Sequence, residues 1–296
     1  MNQQLQDQNE RKIWAERVKS RCGGGPLGIG YLTALRHLPK LLVPGILLMV
    51  PLWLVEIYVF AVPSEGAAAF VNGEFEGQAF PGTIWMAVLL AAARLIAWTL
   101  ATAAAIVLVA GRVLERPVAV HAALFAVVRR LPDLLGLILI AVAMVVVIKM
   151  VWALGGFVLA QPWMVIVAVI AGMVVAIPAM LSLPAVTLEG LSPLSAVARG
   201  YELARDRPVA TVFALVVGVF VVPFVVPEVI TRTMILAGTM MPESLIIPVS
   251  IAGNVLVMPL EAAAFAAIFL GRLTRAYLDS LPALEHITGR LPGASR

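Results

Sequence analysis

Charged residues are scarce in this chain. They make up 13% of its 296 residues, about half the share that a soluble domain carries, whereas 61% of the residues are hydrophobic. Cysteine is nearly absent as well, since Cys22 is the single one and no disulfide can form within the chain. These two shortages exclude an ordinary soluble domain and a disulfide-rich secreted fold. They indicate a chain that folds inside a lipid bilayer.

Long apolar runs occupy most of the sequence. A hydrocarbon layer about 30 Å thick is crossed by about 20 apolar residues in a helix. Six windows have this length and hydropathy: 41–62, 83–110, 134–154, 163–186, 209–229 and 246–270. Because the runs are apolar on every side instead of alternating, they predict helices and exclude a membrane barrel. We therefore expect an all-α polytopic membrane protein with six transmembrane helices.

A short basic motif precedes the first, third and fifth predicted spans. Residues 36–42 (RHLPKLL) and 129–135 (RRLPDLL) nearly match, and residues 205–209 (RDRPV) form a looser third copy. The recurrence predicts one unit used three times, a cytoplasmic interfacial amphipathic helix followed by a transmembrane hairpin. Three such hairpins would be related by a pseudo-threefold repeat.

Basic residues outside the spans lie almost entirely on one side of the predicted membrane. Eighteen Lys and Arg fall in the two tails and in the loops after the second and fourth spans, against Arg232 alone on the other side. The positive-inside rule then places both termini in the cytoplasm, which we expect to be that of a bacterial inner-membrane protein. The predicted units are a solvated cytoplasmic tail with a glycine hinge at 1–25, a six-span membrane domain at 26–275 and a second cytoplasmic tail at 276–296.

Two segments between spans have the period of amphipathic surface helices. Ser192 can cap a helix that Pro193 begins, with Leu194 and Tyr201 on its apolar stripe, and segment 118–130 has the same period. Such helices are expected to lie along lipid headgroups, where their cations meet anionic lipid. The residues expected at this cytoplasmic, lipid-facing surface are Arg36, Lys40, Arg129, Arg130, Glu189, Arg199, Arg205 and Arg207.

Five ionisable residues lie inside the predicted spans, namely Glu56, Arg94, Lys149, Glu228 and Glu261. A charge near the bilayer centre costs about 3 kcal/mol or more unless it is paired or hydrated. Similar depths predict that Lys149 pairs with Glu56 or Glu228, and Arg94 with Glu261. Two interpretations stay open, because such pairs can fix helix register and stability or can line a polar pathway through the membrane.

Catalytic and metal-binding motifs are missing from the sequence. It has no His-Glu-x-x-His helix, no Gly-x-Ser-x-Gly elbow and no paired aspartates. His37, His121 and His286 are each isolated from Cys or carboxylate residues at ligand spacing. We therefore expect that the protein is not an enzyme and that it has no cofactor and no metal site.

One stretch carries a resemblance to a known family. Residues 183–186 (LPAV) are followed by Glu189 and Gly190, and then by a surface-helix segment with Arg199. In this order the chain resembles the six-span membrane proteins grouped with the membrane domain of glycerophosphoryl diester phosphodiesterases and with the bacterial YciC-like proteins. The soluble phosphodiesterase domain of that group has no counterpart in this chain. The resemblance, over about residues 26–275, implies a membrane module of unassigned role.

Two functions are compatible with these observations. The first is a non-catalytic membrane module that interacts with lipids or proteins through its surface helices. The alternative is a transporter or lipid-handling protein with a polar intramembrane site. Anionic lipid headgroups are the expected partners, a membrane protein is a second candidate partner, and the net charge of +4 follows from membrane topology and requires no nucleic acid.

Overall fold

The computed structural model describes residues 13, 14, 16–18, 20, 26–61, 81–159, 180–205, 208–221, 243–276, 286–288, 290 and 291. All regular structure in this part of the chain is helical, which confirms the all-α prediction. The longer helices are α1 (Pro26–Arg36), α2 (Leu38–Ala61), α3 (Pro81–Val113), α4 (Val120–Arg129), α5 (Leu131–Leu159), α6 (Pro193–Arg205), α7 (Pro208–Leu215) and α8 (Glu243–Ala276). A short helical turn, Ser182–Pro184, widens into a π-helical segment at Ala185–Glu189, and α7 continues as a second π-helical segment, Val216–Val221.

Three described helices are long and apolar enough to cross a membrane. They are the parts Leu38–Val55 of α2, Val88–Val113 of α3 and Val255–Thr274 of α8, and they overlap the first, second and sixth predicted spans. The third predicted span lies within the 29 residues of α5. The fourth falls mostly outside the described residues and the fifth is described only as far as Val221, so the count of six spans stays a prediction.

The last helix, α8, is the centre of the bundle. It packs against α1, α2, α3 and the segment Val216–Val221. Its contact face is rich in alanine, and α3 meets it with a similar run; the alanines that are at most 3% exposed include Ala103, Ala104, Ala105, Ala262, Ala263, Ala264, Ala266 and Ala267. Small side chains let helix backbones approach closely, which is the main source of helix association in lipid.

Large apolar side chains lie on the outside of the bundle. Leu47 and Leu54 of α2 are 56% and 61% exposed, and Leu139 and Met150 of α5 are 69% and 60% exposed. A soluble protein rarely leaves so many large apolar groups on its surface. Small residues inside and large ones outside are the arrangement that suits lipid contact.

The chain reverses direction at the end of α3 in a Schellman motif. The Glu115 N–H donates to the carbonyl of Arg112 at 3.2 Å, and the Arg116 N–H donates to the carbonyl of Gly111 at 2.7 Å. A side chain on Gly111 would put its Cβ 2.7 Å from the Arg116 carbonyl oxygen, so glycine is required there. The motif brings Val118 back against Gly111 and directs the chain into α4.

Glu115 occupies the position of this motif where glycine is usual. Its φ of 59° is left-handed, which costs an ordinary residue about 1–2 kcal/mol. Its exposed ion pair with Arg17, at 3.8 Å, contributes at most about 1 kcal/mol. We therefore expect Glu115→Gly to raise the unfolding free energy slightly and Glu115→Ala to lower it, because alanine loses the pair and keeps the strain. Thermal unfolding in detergent measures both, and equal shifts for the two variants would refute the strain argument.

Both tails pack onto the bundle where the structure describes them. The Trp14 indole N–H donates to the carbonyl of Leu114 at 3.2 Å, and Val18 is fully buried. Near the other terminus, Ile287 and Leu291 are 1% and 5% exposed. The prediction of a solvated first tail is therefore wrong at these residues. Isolated apolar residues in a polar segment gave no periodic signal, and the surface that buries them comes from helices far away in the sequence.

The two predicted surface helices are confirmed as helices α4 and α6, and the predicted apolar stripe of α6 faces away from the bundle. The buried residues of α6 include Ala196, Gly200 and Leu203, whereas Leu194 and Tyr201 are 75% and 42% exposed. The reason is that α6 packs closely against α5 and α8, where small residues fit best. The larger apolar residues of α6 thereby face outward, on the side where lipid would lie.

Candidate functional site

The site begins with an unusual helix end between the fourth predicted span and α6. Residues Ala185–Glu189 are π-helical, and Gly190 ends the segment with a left-handed conformation (φ 68°, ψ 36°). A Cβ at Gly190 would collide with the guanidinium groups of Arg130 and Arg290. Glycine is therefore needed at this position both for its backbone conformation and for the close approach of two cations. Single π-helical turns are often found at functional sites.

Two arginines bind the carbonyl end of this π-helical segment. Arg130, where α4 meets α5, donates from Nη1 to the carbonyl of Val186 at 3.0 Å. Arg290, from the second tail, donates from Nη1 to the carbonyl of Glu189 at 2.6 Å. The last carbonyls of a helix have no partner within it and carry partial negative charge, so cations stabilise them. These contacts tie α4, the π-helical segment and the second tail together.

The side chain of Glu189 is held by a third arginine. Arg199 of α6 binds both carboxylate oxygens, with Nε 3.1 Å from Oε2 and Nη2 3.1 Å from Oε1. The two side chains are only 14% and 10% exposed, for Arg199 and Glu189 respectively. Arg199 also donates from Nη1 to Glu202 Oε2 at 2.7 Å, and Glu202 is 61% exposed. Glu189 and Arg199 therefore form a largely buried, two-pronged ion pair with an exposed second acid at its edge.

A cleft of about 610 Å³ opens beside this network. We call it the arginine cleft, and the lining residues that carry its chemistry are His121, Phe125, Arg129, Arg130, Asp133 and Arg290. Ligand sites for organic molecules have volumes of about 300–1,000 Å³. The cleft is therefore large enough for a lipid headgroup.

The charge in the arginine cleft is unbalanced. Three arginines line it, and Asp133 is the one acid among the described residues that do so. Burial lowers the pKa of Arg130, the nearby Arg290 lowers it further, and Asp133 opposes that effect. Like charges held this close favour a bound anion, which would offset their repulsion.

Apolar surface continues from the mouth of the arginine cleft along α4. Phe125 and Val128 are 59% and 55% exposed. The Arg129 guanidinium carbon lies 4.4 Å from the centre of the Phe125 ring, an arrangement that holds the cation over an aromatic face. A site with cations at one end and exposed apolar side chains at the other matches an amphiphile with an anionic head.

The residues predicted for the cytoplasmic surface are divided among several places. Arg129 and Arg130 line the arginine cleft, and Glu189 and Arg199 form the buried pair next to it. Arg36 and Lys40 are exposed at the junction of α1 and α2, and Arg205 is exposed at the end of α6. Arg207 lies outside the described residues.

The intramembrane charges do not form the predicted pair in the described part of the chain. Arg94 is exposed, and its guanidinium carbon lies 6.0 Å from the centre of the Trp53 ring. No ion pair joins Arg94 to Glu261 in the described part of the chain; Glu261 lies on α8, which packs against α1, where the Tyr31 hydroxyl donates to the carbonyl of Gly218 at 2.9 Å. The pairing of Arg94 with Glu261 is therefore wrong, because similar depth does not determine which way each helix face points. The side chains of Glu56 and Lys149, and the whole of Glu228, lie outside the described residues.

Arg290 was not identified from the sequence as a site residue. His121 was considered only as a possible metal ligand, and it was not predicted to line a cleft. Arg290 lies 101 residues from the carbonyl that it binds, in a segment without helical periodicity. His121 did carry a signal, because it shares one helix face with Phe125 and Arg129 at a spacing of four residues. Among the described residues, no group of three or more His, Cys, Asp or Glu side chains is placed to hold a metal ion.

Comparison of the chain with protein-family models, with curated proteins and with solved structures gave no match. The resemblance to the six-span proteins therefore stays a prediction.

Proposed function

We propose that this protein is a non-catalytic integral membrane module that binds anionic lipid headgroups in the arginine cleft. In this proposal the arginine-rich end of the bundle faces the cytoplasm, and the chain crosses a bacterial inner membrane six times. The lipid phosphate would meet Arg129, Arg130 and Arg290, and its acyl chains would pass over Phe125 and Val128.

One observation supports the proposal most directly. Three arginines line a cleft, and the short helix α4 exposes an apolar face beside it. Arg130 and Arg290 are held in position by backbone carbonyls, so their guanidinium groups lose little freedom when an anion binds. Arg129 contacts the ring of Phe125, and unlike Arg130 and Arg290 it donates to neither of those backbone carbonyls. Arg129 is therefore the best residue to replace in a test, since its loss leaves the helix-end contacts intact.

Lipid retention provides the test. The protein is released into a native mass spectrometer from nanodiscs that contain equal amounts of phosphatidylglycerol and phosphatidylcholine. An arginine close to anionic lipid contributes about 1 kcal/mol, which is about fivefold in affinity. We therefore expect the wild-type protein to retain phosphatidylglycerol preferentially and Arg129→Gln to reduce that preference about fivefold.

Arg205→Gln is the matched control, because Arg205 is exposed at the end of α6 and does not line the cleft. It removes the same charge from the same predicted membrane face. An equal loss of phosphatidylglycerol in the two variants would mean that the whole surface, and not the cleft, attracts lipid. No preference in the wild-type protein would refute the proposal.

The proposed topology has its own test. Single cysteines introduced into a variant that lacks Cys22 are exposed to a membrane-impermeant thiol reagent in intact cells. We expect Glu74→Cys, between the first and second predicted spans, to react and Thr288→Cys to react only after the cells are opened. The reverse pattern would invert the orientation and place the arginine cleft outside the cell.

A second candidate is a transporter or lipid-handling protein, and one contact favours it. The Tyr31 hydroxyl of α1 donates to the carbonyl of Gly218 at 2.9 Å, and Glu261 lies on the neighbouring α8, so polar groups occur inside a largely apolar bundle. If this cluster is a substrate site, Glu261→Gln should abolish a bound small molecule that Arg129→Gln leaves in place. Native mass spectrometry of both variants distinguishes the two candidates.

A further inference from the structure

A second basic cavity lies next to the arginine cleft, at the corner between α1 and α2. It has a volume of about 180 Å³, and we call it the corner pocket. The side chains of Thr33, His37, Lys40 and Arg112 line it together with the segment Val118–Val120. The described linings of the two cavities have no residue in common, so the corner pocket is a separate feature.

Local backbone structure places these side chains together. His37 lies between the two helices: its N–H donates to the carbonyl of Thr33 at 3.2 Å, and its carbonyl accepts from the N–H of Lys40 at 3.0 Å. Thr33, His37 and Lys40 therefore follow one another on the same side of the chain. The Schellman motif at the end of α3 brings Arg112 and residues 118–120 to the opposite wall.

The charge in the corner pocket is of one sign. Lys40 and Arg112 are cations, His37 can become one, and no acidic side chain is among the described residues that line the pocket. Partial burial lowers the pKa of His37 below its usual 6.5, and the nearby charges of Arg112, Lys40 and Arg36 lower it further. The positive potential in this pocket is therefore strong enough to act on its own histidine.

The volume of the corner pocket limits the ligand to a small anion or to one end of a larger molecule. A water molecule takes up about 30 Å³ of liquid, so the pocket holds about six waters, and it is smaller than the 300–1,000 Å³ of typical organic ligand sites. A tetrahedral phosphate group fits within this volume and can accept hydrogen bonds from several donors at once.

The start of α4 adds backbone donors to the side-chain cations. This ten-residue helix begins at Val120, and its preceding residue, Ala119, has no side chain that can cap it. The free N–H groups at a helix start favour anions. This feature supports the basic side chains, which are the main basis of the inference.

We infer that the corner pocket binds a phosphate group, through Lys40, Arg112, His37 and the hydroxyl of Thr33. The group can belong to free inorganic phosphate or to the headgroup of a phosphatidic acid lipid, since both present the same terminal oxygens. The inference is independent of the proposed function, because lipid binding in the arginine cleft does not require it.

The three histidines of the chain allow both cavities to be followed in one experiment. His37 lines the corner pocket, His121 lines the arginine cleft, and His286 lines neither in the described part of the chain. The full chain is labelled with ¹³C-histidine in zwitterionic detergent micelles, and the imidazole signals are assigned by His→Gln variants. Inorganic phosphate is then titrated against chloride at matched ionic strength, and phosphatidic acid is added in a separate arm.

We expect phosphate, phosphatidic acid or both to shift the His37 signal in a saturable way and to raise the pKa of His37, because a bound dianion favours the imidazolium. A response to phosphatidic acid alone identifies the headgroup as the source, and a response to both identifies the phosphate group itself. Arg112→Gln and Lys40→Gln should each weaken binding about tenfold or more, since each removes a charged donor. Arg116→Gln, which removes an exposed cation from the same turn, should leave the affinity unchanged.

Three results would overturn the inference. The first is a His37 signal that neither phosphate source moves beyond the effect of chloride. The second is an equal loss of binding in Arg112→Gln and Arg116→Gln. The third is a response of His121 to phosphatidic acid while His37 responds to neither phosphate source, which would support the arginine cleft and exclude the corner pocket. If Arg112→Gln does not fold, Lys40→Gln and the wild-type titration still decide the question.

Discussion

Replacing Glu189 with alanine is expected to lower the unfolding free energy by about 3 kcal/mol. The substitution leaves the Arg199 guanidinium, which is 14% exposed, without its main partner in a poorly hydrated position. Removing one member of a buried ion pair costs about 3–5 kcal/mol, and the small residual exposure places this pair at the lower end. Unfolding in mixed micelles with increasing dodecyl sulfate measures the loss.

Glu202→Ala is the matched control for that prediction. Glu202 binds the same guanidinium but is 61% exposed, and exposed pairs contribute less than about 1 kcal/mol. The double variant Glu189→Ala with Arg199→Met should recover part of the loss, because no uncompensated buried charge remains at the pair. Similar losses for Glu189→Ala and Glu202→Ala would show that burial of the pair has no energetic consequence.

The second large effect is expected at the contact between α1 and α8. Gly30→Ala should lower the unfolding free energy by about 1–3 kcal/mol, which is the usual cost of overfilling a packed core. An added Cβ would lie 2.7 Å from the carbonyl oxygen of Ala263 and 2.7 Å from the Cβ of Ala267. A backbone oxygen cannot move aside without shifting α8, so the two helices must separate.

Gly28→Ala tests the same helix without the contact. A Cβ at Gly28 meets nothing within 4 Å, and alanine is a better helix former than glycine by up to about 1 kcal/mol. We therefore expect Gly28→Ala to be neutral or slightly stabilising in the same unfolding assay. Destabilisation by both variants would mean that α1 requires glycine for backbone reasons and not for its approach to α8.

The elements that could be predicted are those defined by neighbouring residues. Apolar runs of sufficient length predicted α2, α3 and α8, and the period of residues 118–130 predicted α4. The same reasoning predicted α6 and its outward apolar stripe, but it did not predict which residues of α6 pack against the bundle. In a bundle held by small residues, Gly200 and Ala196 are the inward positions.

The candidate sites depended on contacts between distant parts of the chain. Glu189 and Arg199 are ten residues apart and both were singled out from the sequence, but their direct bond depends on the turn at Gly190. Arg290 was missed, since nothing near it in the sequence indicates a carbonyl end about a hundred residues earlier. Arg94 and Glu261 were paired by depth, and the rotation of each helix about its axis placed Arg94 near Trp53 instead.

The sequence by itself determined that the chain is helical, that it has helices suited to a membrane, and that its cations gather in particular loops and tails. These properties depend on composition and on periods of a few residues, so they need no knowledge of the partners in space. Only the tertiary structure decided which cations meet: two arginines on the end of Ala185–Glu189, a third beside Phe125, and Lys40 opposite Arg112. The physical reason is that a cavity and its charge arise from the angles at which helices pack, and those angles depend on close contacts such as Gly30 against Ala263.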